Sequence, residues 1–111
     1  MMNVIIEKVR TYEEEDYTVE NYSICVDGKN VGCADMMVNE KYGYCDNIQV
    51  NSEYRNQGIG TQVLNQLSEI YGGIVIAPDN ADAQRLYERL GSEWYGEEAG
   101  YIDQGYGVYE I

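Results

Sequence analysis

Apolar and polar positions alternate through most of the first half of the chain, and then the period changes. N-V-I-I-E-K-V (residues 3–9), Y-S-I-C-V (22–26), N-V-G-C-A-D-M-M-V (30–38) and Y-C-D-N-I-Q-V (44–50) read as strands. D-G-K-N between the second and third is a hairpin signal, because Gly28 tolerates positive φ. N-E-K-Y-G (39–43) reads as a second turn, and the charged T-Y-E-E-E-D-Y (11–17) as a solvated loop. Together these segments predict an antiparallel meander.

From residue 59 the spacing is helical. Ile59, Val63, Leu64, Leu67, Ile70 and Tyr71 form one stripe, closed by Gly72 and Gly73. I-V-I-A (74–77) is a short apolar run that suits a strand buried on both faces. A second helix follows, with Asp79 or Asn80 as N-cap and Gly91 where a C′ glycine belongs. S-E-W-Y and Y-G-V-Y-E-I read as two last strands, joined by an acidic loop that contains glycine. The predicted order is β-β-β-β-α-β-α-β-β, an α+β fold with a mixed, mainly antiparallel sheet and two main helices. A length of 111 residues predicts one domain, residues 1–111, with one modest core.

Between the fourth strand and the first helix lies R-N-Q-G-I-G, Arg55 to Gly60. A helix N-terminus presents N–H groups without intrahelical partners and the positive end of its dipole. A glycine-bearing turn before it can make an anion-binding concavity, and Arg55 adds a charge at its mouth. The spacing is that of neither a nucleoside-triphosphate loop nor a dinucleotide fingerprint, so these residues alone admit a plain turn or a phosphate cradle. On the second helix Asn80, Ala83 and Tyr87 are spaced i, i+3, i+7 and share a face. Taken singly, Asn80 is also an N-cap and Tyr87 a core aromatic.

These two motifs resemble a family. V-N-S-E-Y-R-N-Q-G-I-G-T-Q-V-L is similar to the acetyl-CoA signature of the GNAT superfamily N-acetyltransferases, and I-A-P-D-N-A-D-A-Q-R-L-Y-E-R-L-G to that family's second signature. The resemblance implies a GNAT-like fold and acetyl-CoA as co-substrate. It implies that amides from Gln57 to Thr61, beside Arg55 and Asn56 and including Gly58, Ile59 and Gly60, hold the pyrophosphate. Main-chain groups of Ile48, Gln49 and Val50 would meet the pantetheine arm, and the Val50 N–H would polarise the thioester carbonyl. Asn80 and Ala83 would lie along the cofactor, and Tyr87 would be the general acid for the departing thiolate. The best candidate base is Asp46, with Glu53 and Asp103 behind it. Family members ordinarily place two helices between their first two strands, and this chain has no room for both. Either the acceptor groove is open, or another chain, such as a second copy in a homodimer, completes it.

Charge and composition narrow the chemistry. The net charge is −13, from 20 acidic and 7 basic side chains, which disfavours nucleic acid and favours a cationic acceptor amine, including a lysine on a basic protein. A non-catalytic acyl-CoA-binding module, or an acidic inhibitor that occupies a basic groove, is the second reading. Histidine is absent, which removes Ser-His and Cys-His nucleophile systems. Cys25, Cys33 and Cys45 lack C-x-x-C spacing, so no metal site is expected, and all three read as small buried hydrophobes. No apolar run approaches the ~20 residues of a membrane span, and the first residues carry no signal-peptide pattern. A soluble, cytoplasmic protein without membrane partners is the expectation.

Overall fold

The computed structural model describes residues 2–111. Four long strands, β1 (Val4–Glu13), β2 (Thr18–Val26), β3 (Lys29–Val38) and β4 (Gly43–Val50), form the antiparallel meander. Helix α1 (Ile59–Tyr71) follows, then β5 (Val75–Ile76), α2 (Ala81–Leu90), β6 (Ser92–Glu93), a four-residue helix α3 (Ala99–Ile102) and β7 (Tyr109–Glu110). The sheet order is β1-β2-β3-β4-β5-β7-β6, parallel only between β4 and β5. This is the predicted mixed sheet with two principal helices.

Two segments differ from expectation. Residues 11–13 are strand rather than loop, since Thr11, Tyr12 and Glu13 pair with Glu20, Val19 and Thr18. Val19 is buried at the same level, and its packing holds a pairing that local charge argues against. A turn closed by the Glu14 N–H on the Tyr17 carbonyl (2.8 Å) is all that joins β1 to β2. The acidic loop before β7 contains α3, too short for a periodicity to reveal.

The core lies between the sheet and its helices. Ile59, Val63, Leu64 and Leu67 of α1 are essentially inaccessible to solvent, against Tyr22, Ile24, Ala34 and Met36 of the meander. Each such side chain contributes about 1.5–3 kcal/mol, which offsets the cost of ordering the helix. Ile70 shares the stripe but falls in the last turn, where nothing covers it, and is 53% exposed. Tyr71 anchors that end instead. Its hydroxyl pairs with the Tyr22 hydroxyl (2.7 Å) and donates to Glu20 (2.9 Å), which also binds Lys8. Of the cysteines only Cys45 is buried. Cys25 and Cys33 alternate with inward residues, so they sit half-exposed on the opposite face, and all three are free.

Gly91 is needed for a different reason than a C′ glycine. Its φ of −149° is not left-handed, and its N–H closes the helix on the Tyr87 carbonyl. A Cβ at this position would overlap the main-chain carbonyl of Glu110 on β7. Gly91→Ala is therefore expected to lower stability by about 1–3 kcal/mol, read as a shifted denaturation midpoint. An unchanged midpoint would show that β7 can retreat without loss.

Candidate active site

β4 and β5 make a single paired contact, Tyr44 with Val75, and then diverge. From Asp46 onward the β5-facing edge of β4 has no strand beside it. Asp46 itself has no partner on β3: Cys45 pairs with Met36 and Asn47 with Asp35, so Asp46 is the extra residue of a β-bulge. The N–H of Asn51 donates to Val31 on β3 (2.8 Å). By the two-residue alternation of a strand, the main-chain groups of Val50 and Ile48 face the open edge. Consistently, the Val50 carbonyl accepts from Arg55 Nε at 3.0 Å. Gln49 differs from Ile48 and Val50, because its carbonyl points at Gly32 of β3 and its main chain belongs to that ladder.

At one end of this edge is a groove of about 450 Å³. Val50, Arg55, Asn56, Gly58, Gly60 and Thr61 line it, with Ile59 at its floor and Tyr54, Leu86 and Arg89 completing the wall. Ser52–Tyr54 form a 3₁₀ turn that carries the chain from β4 to the loop. Gly58 has φ +79° and Asn56 φ +61°, so the loop turns through two left-handed positions. Gly58 supplies no side-chain cap to α1, and the first intrahelical bond runs from Gln62 to Gly58. The preceding N–H groups, of Ile59, Gly60 and Thr61, are free to take an external acceptor. α2 is the contrast: Asn80 Oδ1 accepts from the Ala83 N–H at 2.8 Å, so its N-terminus is closed. A Cβ on Gly58 or Gly60 would meet nothing within 4 Å, so internal packing does not explain the bare Gly60. Neither Arg55 nor Arg89 is ion-paired among the described residues. A groove with free amides, two arginines and no side chain at its centre is built to receive an anion.

Further along β4 lies a smaller cavity of about 110 Å³ whose walls include Asp46, Ile48, Ile76, Asp79, Tyr87 and Gln104. Tyr87 is buried. Desolvation, and then the proximity of Cys45, Asp79 and Tyr44, push its hydroxyl up to about 12. Burial likewise pushes the Cys45 thiol up to about 12, so it is no ready thiolate. Asp46 is exposed at the cavity rim.

The remaining expected residues lie outside both cavities. Asn80 is occupied as an N-cap, and its Nδ2 donates to Asp79 (2.9 Å). Ala83 packs against the core. Gln57 donates to the Glu53 carbonyl (3.2 Å), and Glu53 is exposed. Asp103 accepts the N–H groups of Gly105, Tyr106 and Gly107, which hold its carboxyl below the usual range and make it a weak base. Sequence reasoning passed over Arg89, Asp79 as a wall and Gln104. Arg89 follows Leu86 by one helical step of three, so an extended stripe on α2 would have found it. Gln104 reaches the cavity from a loop and leaves no periodic signal.

The profile of the acetyltransferase (GNAT) family matches residues 4–92. The chain belongs to that family. Solved structures agree on the fold. An N-acetyltransferase of ribosomal protein S18 alanine from Escherichia coli superposes with TM-score 0.65 at 20% identity, covering 97% of this chain and 89% of that one. A GNAT acetyltransferase from Elizabethkingia anophelis with acetyl-CoA bound gives 0.59 at 23%, covering 70% of this chain and 56% of that one. A streptothricin acetyltransferase homologue from Bacillus anthracis in complex with acetyl coenzyme A gives 0.57 at 20%, covering 88% and 61%. The chain thus spans little more than half the length of the latter two. No curated protein matches it. No helix among the described residues is long and apolar enough to cross a membrane.

Gly60→Leu separates a ligand cradle from a plain turn. The added side chain enters open space, so thermal stability should hold within about 1 kcal/mol. Affinity for acetyl-CoA, by calorimetry, should fall about tenfold or more as the groove is filled. Undiminished affinity would place the anion elsewhere.

Proposed function

We propose that this protein transfers acetyl from acetyl-CoA directly to a primary amine. The observation that carries this reading is the unpaired edge of β4, with an anion groove at one end and a buried phenol beside it. In this reading the pyrophosphate lies at the N-terminus of α1, against the amides of Ile59 to Thr61 and the guanidinium groups of Arg55 and Arg89. The pantetheine arm lies along β4 in the gap before β5 and takes up the main-chain groups that β5 leaves unpaired. Its amides complete the strand ladder as another strand would.

The reaction needs three things at the thioester. The carbonyl needs a donor where negative charge develops. We assign that role to the Ile48 N–H rather than to Val50, because Ile48 lines the cavity with Tyr87, whereas Val50 lines the outer groove beside Arg55. The amine must be neutral, although a lysine ammonium has pKa about 10.4 in water. Asp46, exposed at the bulge, takes its proton directly or through water, and Asp79 is the second carboxylate within the same cavity. As the amine nitrogen bonds to the carbonyl carbon, the carbon–sulfur bond breaks and the thiolate leaves. Tyr87 supplies its proton.

The raised pKa of Tyr87 fits that role, with the sign worked out. A group titrating near 12 stays protonated throughout neutral pH, so the acid is always loaded. Turnover should rise with pH as amine and base deprotonate, with no falling limb from loss of the acid below about pH 11. Tyr87→Phe should lower kcat about 10²-fold while leaving the KM for acetyl-CoA nearly unchanged. Loss of cofactor binding in that variant would make the tyrosine a packing residue and remove it from the mechanism.

A further inference from the structure

The hairpin tips of the meander build a second concavity at the end of β4 opposite the glycine loop. Its walls are Tyr17 from the β1–β2 turn, Met37 from β3, Tyr42 from the β3–β4 turn, Tyr44 from β4, and Tyr101 and Ile102 from α3. The volume is about 290 Å³, four of its eight lining residues are tyrosines, and one carboxylate, Glu98, stands in it. Tyr101, 93% exposed, stands at its rim. The wall is held in place: Tyr42 packs edge-on to Trp94 at 4.9 Å, Asn39 Oδ1 accepts from the N–H groups of Lys41 and Tyr42, and Lys41 reaches Glu97 and Glu98 at 3.4 and 3.8 Å.

Tyr17 and Asn39 form a ridge shared with a wider, acidic depression of about 380 Å³. Glu13, Glu14, Glu15, Asp16 and Glu40 line it, and none is ion-paired with a basic residue among the described residues. On the inner side Tyr44 is the link, because it lines this cleft and stands on β4 two residues before Asp46, a wall of the cavity that holds Tyr87. Aromatic faces take the stem and charge of an alkylammonium, and carboxylates take its neighbours. From Tyr44 to Val50 β4 advances six residues, about 20 Å, so the two concavities approach the bulge at Asp46 from opposite ends of one strand.

We propose that this aromatic cleft and its acidic rim dock a basic polypeptide segment, with the acceptor lysine in the tyrosine-lined cleft and flanking cations over residues 13–16 and Glu40. A polypeptide is the occupant because the two depressions are separated by a ridge, lie open at the surface and together exceed what one amine fills. The hairpin turn between β1 and β2 leaves them without a roof. The proposal rests on the acetyl-transfer reading for its chemistry, but docking can be measured without turnover.

The test uses a fluorescein-labelled peptide with one lysine flanked by arginines, and the same peptide with glutamines in place of the arginines. Anisotropy without acetyl-CoA should show the basic peptide binding about tenfold tighter than the neutral one, a difference that shrinks with added salt. In the triple variant E14Q/E15Q/D16N that preference should vanish, and in Tyr101→Ala both peptides should bind about tenfold more weakly, while acetyl-CoA affinity stays as in the native protein. Equal binding of both peptides, or unchanged binding in both variants, overturns the proposal. So does spermidine acetylated with higher kcat/KM than the basic peptide. Docking with no acetylation of any amine would instead sink the transfer reading and leave the cleft standing.

Discussion

A strand edge carries donors and acceptors that must be satisfied by another strand, by water or by a ligand. In this fold β4 is paired with β3 from end to end except at the Asp46 bulge, but touches β5 at one position only. The anion groove and the cavity that holds Tyr87 both lie along that unpaired half-edge. The parallel contact at Tyr44 holds the two strands together at one end, and the bulge at Asp46 turns β4 away at the point where the gap begins. Pairing β5 along the rest of β4 would use up this edge. The divergence therefore has to be built in, and the short β5, only two residues long, together with its pairing to β7 does so.

Charge distribution complements this geometry. An acidic chain has little use for an anion site unless its few cations are concentrated there. Five of the seven basic side chains are satisfied elsewhere: Lys8 by Glu20, Lys41 by Glu97 and Glu98, Arg85 by Asp82, and Arg10 and Lys29 over tyrosine rings. Arg55 and Arg89 remain, and both line the groove at the N-terminus of α1. Glu13, Glu14, Glu15, Asp16 and Glu40 gather at the other end, around the hairpin tips. The free cations and this cluster of carboxylates thus stand at opposite ends of the same strand.

The strands and both main helices were legible because each is amphipathic with its own period, and burial follows that period closely along β2, β3 and α1. The glycine loop was legible as a candidate because its residue types are rare in that arrangement. What local pattern could not supply was the extent of β1 and β2 through an acidic stretch, since cross-strand pairing and the burial of Val19 outweigh the local preference for solvent. Nor could it separate the two uses of an asparagine at a helix start. Asn80 caps its own helix, whereas Gly58 leaves the other helix uncapped, and only the combination distinguishes a structural terminus from a receptive one.

By itself the sequence determined the period of each element, the positions that must be glycine or apolar, the absence of histidine chemistry and the sign of the charge. These depend on single residues and their near neighbours. The tertiary structure alone decided which residues meet. Arg89 joins Arg55 across the groove, Ile48 rather than Val50 shares a cavity with Tyr87, and tyrosines from four separate segments close into one cleft. Such meetings follow from the twist and divergence of strands far apart in the chain, which no local spacing encodes. Gly91 shows the same division: its place at a helix end was readable, but the reason it must be glycine is a carbonyl 19 residues away on β7.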